Sequence, residues 1–339
     1  MDGLFATFLR EHAGDLDAYL GSFFCDQTDN ADVETYLYAP LKRYSDNAGK
    51  RHRPLICMLA CRAVGGSMEH ARSAAAAIEH FQSAALIHDD IADNGQLRRG
   101  KPCLHITEGE GLAINCGDLD LTLVFSSVLR DPALDDAVKL RVLGELSDMT
   151  VRTIEGQALD LGWVRDGRFD IGVADYLAMA SRKTAYYSGA IPLTCGAIIG
   201  GGDETQIEGL RAFGMDTGLA FQIQDDLLNL VGTKEAANKD FRTDITEGKR
   251  TLIAVHALET AAEAQRAELL KILTSGSSER EDLDHAVAIF EATGSLDFAR
   301  TYAHDLTERA KAELASLDLE AEAKELFSSM ADFFVDRLK

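Results

Sequence analysis

The sequence predicts an all-α protein. Long stretches rich in Ala, Leu, Glu and Asp place their apolar residues at helical spacing, only 5 prolines interrupt 339 residues, and the two-residue alternation of strands is hard to find. At 46% hydrophobic and 27% charged, the chain can bury a large core in one or two domains. No low-complexity linker divides it, so one compact helical domain over residues 1–339 is expected.

The elements follow in order. Residues 1–47 hold one or two amphipathic helices, with Leu4, Phe5, Phe8 and Leu9 at helical spacing. Ala48-Gly49-Lys50-Arg51-His52-Arg53-Pro54 is a break and a fresh start. Residues 54–64 form a short apolar helix ending at Gly65-Gly66. Ser67 can cap the next helix, which runs through a long alanine stretch to about Asp93. Gly95 and residues 98–102 make a loop. Residues 110–130 read as a nearly all-apolar helix, which implies burial on most sides. Residues 134–161 are amphipathic, and residues 173–200 form a helix pair around Pro192. Asp203-x-x-Gln206 is a capping-box start for the helix that reaches Asp225. Residues 232–248 are polar and make a candidate mobile loop. Residues 250–339 hold three to five more helices, one capped by Ser278-x-x-Glu281.

Composition excludes several function classes. Net charge is −22. Nucleic acid is therefore not an expected partner, because binding a phosphate backbone needs a basic surface. Docking on anionic lipid through a polybasic patch is excluded on the same ground. No run of 18 or more apolar residues exists, so no transmembrane helix is expected. The start Met1-Asp2-Gly3-Leu4 lacks a basic n-region and a secretory core, which predicts a cytoplasmic address. Cys25, Cys57, Cys61, Cys103, Cys116 and Cys195 form no C-x-x-C pair and are read as reduced core thiols.

Two aspartate clusters carry the chemistry. The first is Asp89-Asp90-Ile91-Ala92-Asp93, followed by Arg98-Arg99-Gly100-Lys101; the second is Gln222-Ile223-Gln224-Asp225-Asp226-Leu227-Leu228-Asn229. On a helix Asp89 and Asp93 share a face, and Asp225 and Asn229 repeat that spacing. A lone D-D-x-x-D is a weak signal among 56 acidic residues. Here the residues before it, Phe81 to Ile87, are apolar or small right up to the carboxylates. Placing that much like charge at the end of an apolar helix is costly without a compensating cation. Mg²⁺ typically takes one or two carboxylates plus substrate phosphates and water. The pattern reads as a Mg²⁺-dependent enzyme acting on a diphosphate, with basic residues beside the aspartates to offset the protein's net charge.

Six ordered motifs extend this reading: Gly49-Lys50-Arg51-His52-Arg53-Pro54; Asp89–Asp93 with Leu97–Pro102; Glu155-Gly156-Gln157-x-x-Asp160; Lys183-Thr184; Phe221-Gln222-x-x-Asp225-Asp226; and Glu247-Gly248-Lys249-Arg250-Thr251. Together, over residues 49–256, they resemble the trans-isoprenyl diphosphate synthases, or polyprenyl synthetases, of the geranylgeranyl diphosphate synthase type. The resemblance implies an all-α bundle around a central active-site cavity, with residues 257–339 as C-terminal helices. It implies Asp89 and Asp93 as ligands of two Mg²⁺ ions and Asp225 of a third. Asp90, Asp226 and Asn229 would be outer groups that orient metal-bound water. Arg98, Lys183, Lys249 and Lys239 resemble contacts to the allylic diphosphate. Lys50, Arg53, Arg99 and Gln82 match the site for isopentenyl diphosphate.

The implied reaction is ionisation of the allylic diphosphate, attack by isopentenyl diphosphate, and proton loss to the departing pyrophosphate. Thr184 and Gln222 would hold oxygens near the cation. The polar segment 232–248 is the candidate lid that keeps water out. The second motif departs from the family by ending in Asn229 rather than Asp, which keeps an oxygen and loses a charge; activity is expected to survive.

In this family the product grows beside the first aspartate helix. Ala84 and Ala85 lie one helical turn, about 6 Å, below Asp89, and Phe81 lies two turns, about 12 Å, below it. Members that stop at farnesyl diphosphate usually carry aromatics at the first level, so geranylgeranyl diphosphate is expected, and a longer (C25 or more) or farnesyl product is the alternative. A class I terpene cyclase is the remaining rival; the glutamate of its usual second motif would fall at Thr233. The resemblance also implies a homodimer, with 110–130 as a candidate interface.

Overall fold

The computed structural model describes residues 3–47, 49–231 and 241–336. Among these the chain is helical apart from one hairpin, in which Leu97–Arg98 pairs antiparallel with Lys101–Pro102. The all-α expectation holds. Contacts gather the chain into two compact units: Met1–Asp148, Ile191–Leu210 and Leu317–Ser329 in the first, Met149–Ala190, Arg211–Ser316 and Met330–Lys339 in the second.

The first unit is built on the helices His52–Ala63 and Arg72–Ala92. The former is apolar nearly all round and buries Leu55, Ile56, Leu59 and both its cysteines completely. That leaves it no solvent face, and it packs against both Ile191–Ile199 and Arg72–Ala92. In Arg72–Ala92 the run Ala74 to Ala77 is fully buried. Small side chains let the neighbouring helices, including Glu110–Leu129, approach closely. Ser67 does not cap this helix directly. It precedes a 3₁₀ turn, Met68–Ala71, and its hydroxyl makes no capping hydrogen bond.

Glu110–Leu129 corrects an expectation. Its buried residues follow one stripe, including Ala113, Cys116, Asp120 and Val124, while Ile114 and Leu129 are exposed. Apolar composition does not mean burial on most sides here. By length and composition this helix could also cross a membrane, with only 39% of its apolar window buried. The capping box at Asp203 forms as expected: the Gln206 amide donates to Asp203 Oδ1 at 2.8 Å, and the Asp203 amide donates to Gln206 Oε1 at 2.9 Å. It starts the helix Glu204–Val231.

The second unit has its own core, to which Trp163, Tyr176, Ile223, Leu227, Ile245 and Phe290 contribute. No break separates a helix pair at Pro192. Val173–Ala180 passes into a π-helical stretch, Ser181–Ala190, and then into Ile191–Ile199. A change of hydrogen-bond register ahead of the proline lets the chain continue where a strict α-ladder would meet the proline ring. Among the described residues five helices follow residue 250: Leu252–Thr260, Glu263–Ser275, Arg280–Ala292, Ser295–Ser316 and Ala321–Val335. The N-cap of Arg280–Ala292 is Glu279, not Ser278.

Candidate active site

In the first unit, Arg72–Ala92 carries Phe81, Gln82, Ala84, Ala85, Asp89 and Asp90 on one rigid element. Asp93 is its C-cap, and its amide donates to the Asp89 carbonyl at 2.9 Å, so the last turn holds the two carboxyl-bearing residues in helical register. Asp89 and Asp93 are half-buried; Asp90 is buried. Phe81 and Ala84 are buried and Ala85 is half-buried.

The hairpin returns the basic residues to this helix end. Its turn is Arg99-Gly100, with φ +53° and +79°. Both signs suit a tight two-residue hairpin turn, and a non-glycine at the first position carries strain. Arg98 donates through Nε to Asp90 Oδ1 at 2.9 Å and forms an ion pair with it through Nη2. Burial works against the Arg98 charge, but the hydrogen bonds and field of Asp90 more than offset it and raise the guanidinium above its ordinary range. Asp90 Oδ2 is buried without a hydrogen-bond partner among the described residues. Lys50 is exposed, Arg53 and Gln82 are buried, and the Arg99 Nη1 donates to the Asn47 carbonyl at 3.1 Å.

In the second unit, Gly156 allows a close approach. A Cβ there would meet the Lys183 backbone nitrogen at 2.3 Å. This seats Lys183-Thr184, in the π-helical stretch, against the helix Asp136–Arg165, and Lys183 forms an ion pair with buried Asp160 one turn beyond Gly156. Thr184 Oγ1 donates to Gln222 Oε1 at 2.6 Å, Gln222 Nε2 donates to Asp226 Oδ1 at 2.7 Å, and the Tyr176 hydroxyl donates to Asp226 Oδ2 at 2.7 Å. Both oxygens of Asp226 are thus engaged, while Asp225, half-buried, sits beside it. Burial, and then the field of Asp244, holds the Asp226 carboxyl well above the usual carboxylate range. Burial raises Asp244 too, against the opposing field of Lys249.

Asn229 holds the returning chain. Its Oδ1 accepts from the Asp244 amide at 3.3 Å, and its Nδ2 donates to Thr243 Oγ1 at 3.1 Å. The short helix Thr243–Thr246 is fixed in this way, and Lys249 follows, with Nζ 2.7 Å from Glu247 Oε2 and 3.9 Å from Asp244 Oδ1. Lys239 and most of the candidate lid, residues 232–240, lie outside the described residues.

The donor set fits Mg²⁺ of a particular kind. Among the described residues no three His, Cys, Asp or Glu side chains converge into a cage. Asp90 offers an orphaned buried oxygen, and Asp89 and Asp93 share one helix face. Mg²⁺ takes few carboxylates and completes its shell with phosphate and water, so carboxylates without a closed cage suit it.

Residues 34–290 match the family described as Polyprenyl synthetase. The chain belongs to that family. It is a trans-prenyltransferase. It is 39% identical over 289 residues to a short chain isoprenyl diphosphate synthase of Methanothermobacter thermautotrophicus, covering 85% of this chain and 86% of the relative. A geranylfarnesyl diphosphate synthase of Natronomonas pharaonis is 35% identical over 317 residues, 89% of this chain and 90% of that one. The crystal structure of geranylgeranyl pyrophosphate synthetase from Pyrococcus horikoshii superposes with a TM-score of 0.89 at 32% identity, covering 98% of both chains.

Within this polyprenyl synthetase, sequence reasoning missed Tyr176 and Asp244, and quoted Asp160 and Glu247 without a role. Asp160 had a signal: it lies four residues after Gly156, hence on the same helix face. Tyr176 had none, since it reaches Asp226 across 50 positions.

Proposed function

We propose that the enzyme condenses isopentenyl diphosphate with an allylic diphosphate (dimethylallyl, geranyl or farnesyl) to an all-trans prenyl diphosphate, with geranylgeranyl diphosphate as the main product. The observation that carries this is that each unit combines a helix-borne aspartate pair with carboxylate-paired basic side chains: Asp89-Asp90 with Arg98 on Asp90 in one, and in the other Asp225-Asp226 on Glu204–Val231 together with Lys183 on Asp160 and Lys249 beside Asp244 and Glu247. Such a set binds anions only when cations join the carboxylates.

Asp89 and Asp93 would hold two Mg²⁺ ions and Asp225 a third, and the ions would supply Lewis-acid neutralisation of the leaving diphosphate. Asp90 and Asp226 orient these positions, one through Arg98 and the other through Gln222 and Tyr176. Arg98, Lys183 and Lys249 bind the allylic diphosphate, with Lys239 from the segment outside the described residues. Lys50, Arg53, Arg99 and Gln82 bind isopentenyl diphosphate, where guanidinium forks suit phosphate oxygens. The Thr184–Gln222 hydrogen bond fixes both side-chain oxygens near the allylic carbocation. The departing pyrophosphate accepts the proton. Six cysteines outside any disulfide, five of them buried, suit a reducing cytoplasm.

A second copy of the chain is the expected partner. The helix Asp136–Arg165 presents Leu140, Val151, Ile154 and Leu161 to solvent, with Gly144, Ser147 and Ala158 exposed between them. These positions alternate in steps of four and three, the spacing of a helix–helix seam.

A longer product is the second reading, because the level of Ala84 and Ala85 carries no bulky side chain. The test is incubation with Mg²⁺, isopentenyl diphosphate and each allylic starter, with products sized by mass spectrometry. A C20 product is expected. Ala85→Phe should shorten it and Phe81→Ala lengthen it. Unchanged products from both variants overturn the length assignment, and release of pyrophosphate without any elongated product overturns the function.

A further inference from the structure

Arg51 lies inside the basic Gly49–Pro54 motif, yet it does not face solvent. It adopts φ +51° at the N-cap of His52–Ala63, a left-handed conformation uncommon for a residue with a Cβ. Its side chain is 3% exposed. Three partners surround the guanidinium. Nε donates to Asp17 Oδ1 at 2.7 Å, Nη2 donates to the Ser45 carbonyl at 2.8 Å, and Nη1 forms an ion pair with Glu79. Glu79 is itself buried, on Arg72–Ala92, three residues before Gln82 and ten before Asp89.

Arg99 approaches the same segment from the hairpin. Its Nη1 holds the Asn47 carbonyl, and its guanidinium lies 3.2 Å from where a Gly49 Cβ would stand. Partial desolvation depresses the Arg99 charge; the field of Glu79 supports it, and those of Arg51 and Arg98 oppose it. A buried carboxylate therefore lies within electrostatic reach of two guanidiniums, one turned inward and one available to a phosphate. An unpaired carboxylate cannot remain charged in such a place.

We infer that Arg51 and Glu79 are positioning residues for the second diphosphate: Arg51 takes up the buried charge of Glu79, so that Arg99 stays available to phosphate instead of pairing with Glu79. The inference rests on the assignment of Lys50, Arg53 and Arg99 to isopentenyl diphosphate. It explains why a motif rich in cations turns one of them onto a buried carboxylate. It also makes the strained backbone at Arg51 useful, because that conformation lets Lys50 lie exposed while the next side chain turns inside.

The test is steady-state kinetics with each substrate varied separately. Arg51→Met should raise the KM for isopentenyl diphosphate about tenfold, equivalent to about 1.4 kcal/mol. The KM for the allylic substrate and kcat should stay within about twofold, the signature of lost binding to one substrate. Arg51→Met combined with Glu79→Gln removes the stranded charge and should return that KM to within about threefold of the parent. A merely structural role predicts no such rescue. If Arg51→Met fails to fold, Arg51→Lys reads the same relation, since it keeps a cation against Glu79, and its KM should also stay within about threefold. Overturning results are an unrescued double variant, a parallel change in both KM values and kcat, or a tenfold rise in Arg51→Lys. Absence of turnover in the parent enzyme overturns the proposed function and this inference with it; turnover with an unaltered KM in Arg51→Met overturns the inference alone.

Discussion

A Cβ placed on Gly156 would lie 2.3 Å from the backbone nitrogen of Lys183 and 2.7 Å from its Cα. Backbone cannot yield as a flexible side chain can, so Gly156→Ala must push the π-helical stretch away from Asp136–Arg165. Overpacking of this kind costs about 1–3 kcal/mol. The larger consequence falls on the Lys183–Asp160 pair, because misplacing a positioning group by about 1 Å can cost about 100-fold in rate. Gly156→Ala should therefore lose about 100-fold in kcat while its melting temperature falls by only a few degrees. Gly14→Ala, with nothing within 4 Å, is the control and should leave turnover unchanged. A Gly156→Ala enzyme within twofold of the parent would show that Lys183 placement is unimportant.

The carboxylate arrangement predicts an order in which Mg²⁺ and diphosphate would bind. No cage of three ligands exists among the described residues, and the buried Asp226 and Asp244 carboxyls are both raised by burial. Mg²⁺ alone finds too few oxygens to give up its water. Mg²⁺ together with pyrophosphate completes its shell. Thermal melting should rise little with Mg²⁺ alone, little with pyrophosphate alone, and markedly with both, the gain following free ligand concentration. A large shift with Mg²⁺ alone would mean a preformed site and would sink the argument.

Asn229 stands where the family motif usually has aspartate, and the structure gives it work that an amide does well: it accepts from the Asp244 amide and donates to the Thr243 hydroxyl. Asn229→Ala should cost about 1–3 kcal/mol, since it strands partly buried partners, and should slow turnover by loosening Asp244 and Lys249. Asn229→Asp keeps an acceptor for the amide, and the Thr243 hydroxyl can rotate to donate to it. It should retain most activity at saturating Mg²⁺. If Asn229→Ala matches the parent in both melting temperature and kcat, the bracket has no function.

This pair marks the limit of what the sequence discloses. The Asp203–Gln206 capping box, the helix ending at Asp93 and the spacing of Asp89 were legible because local rules act over a few residues. The distant neighbours of Asp226 were not, because Tyr176 and Asp244 come to it through chain closure that no periodicity encodes. The π-helical stretch around Lys183 was missed for a related reason: Pro192 signalled a break, whereas the backbone shifted its hydrogen-bond register upstream instead. Burial of Glu110–Leu129 was overestimated because composition gives apolarity but not which face finds a partner.

That question of partners leads to Asp136–Arg165. Ile154 is 58% and Val151 54% exposed on its seam. Isolated apolar residues on a surface need no explanation, but a run in steps of four and three along about six turns of helix does. In a twofold dimer each position meets the same face of the partner, so one substitution counts twice. Ile154→Glu places two carboxylates in a desolvated seam, at a cost of several kcal/mol. The parent should sediment as a dimer and Ile154→Glu as a monomer with an unchanged helical spectrum. Lys139→Glu, in the same helix but outside the seam, should leave the dimer intact. A dimer that survives Ile154→Glu, or a parent that sediments as a monomer, would mean that this stripe is not where a second copy binds.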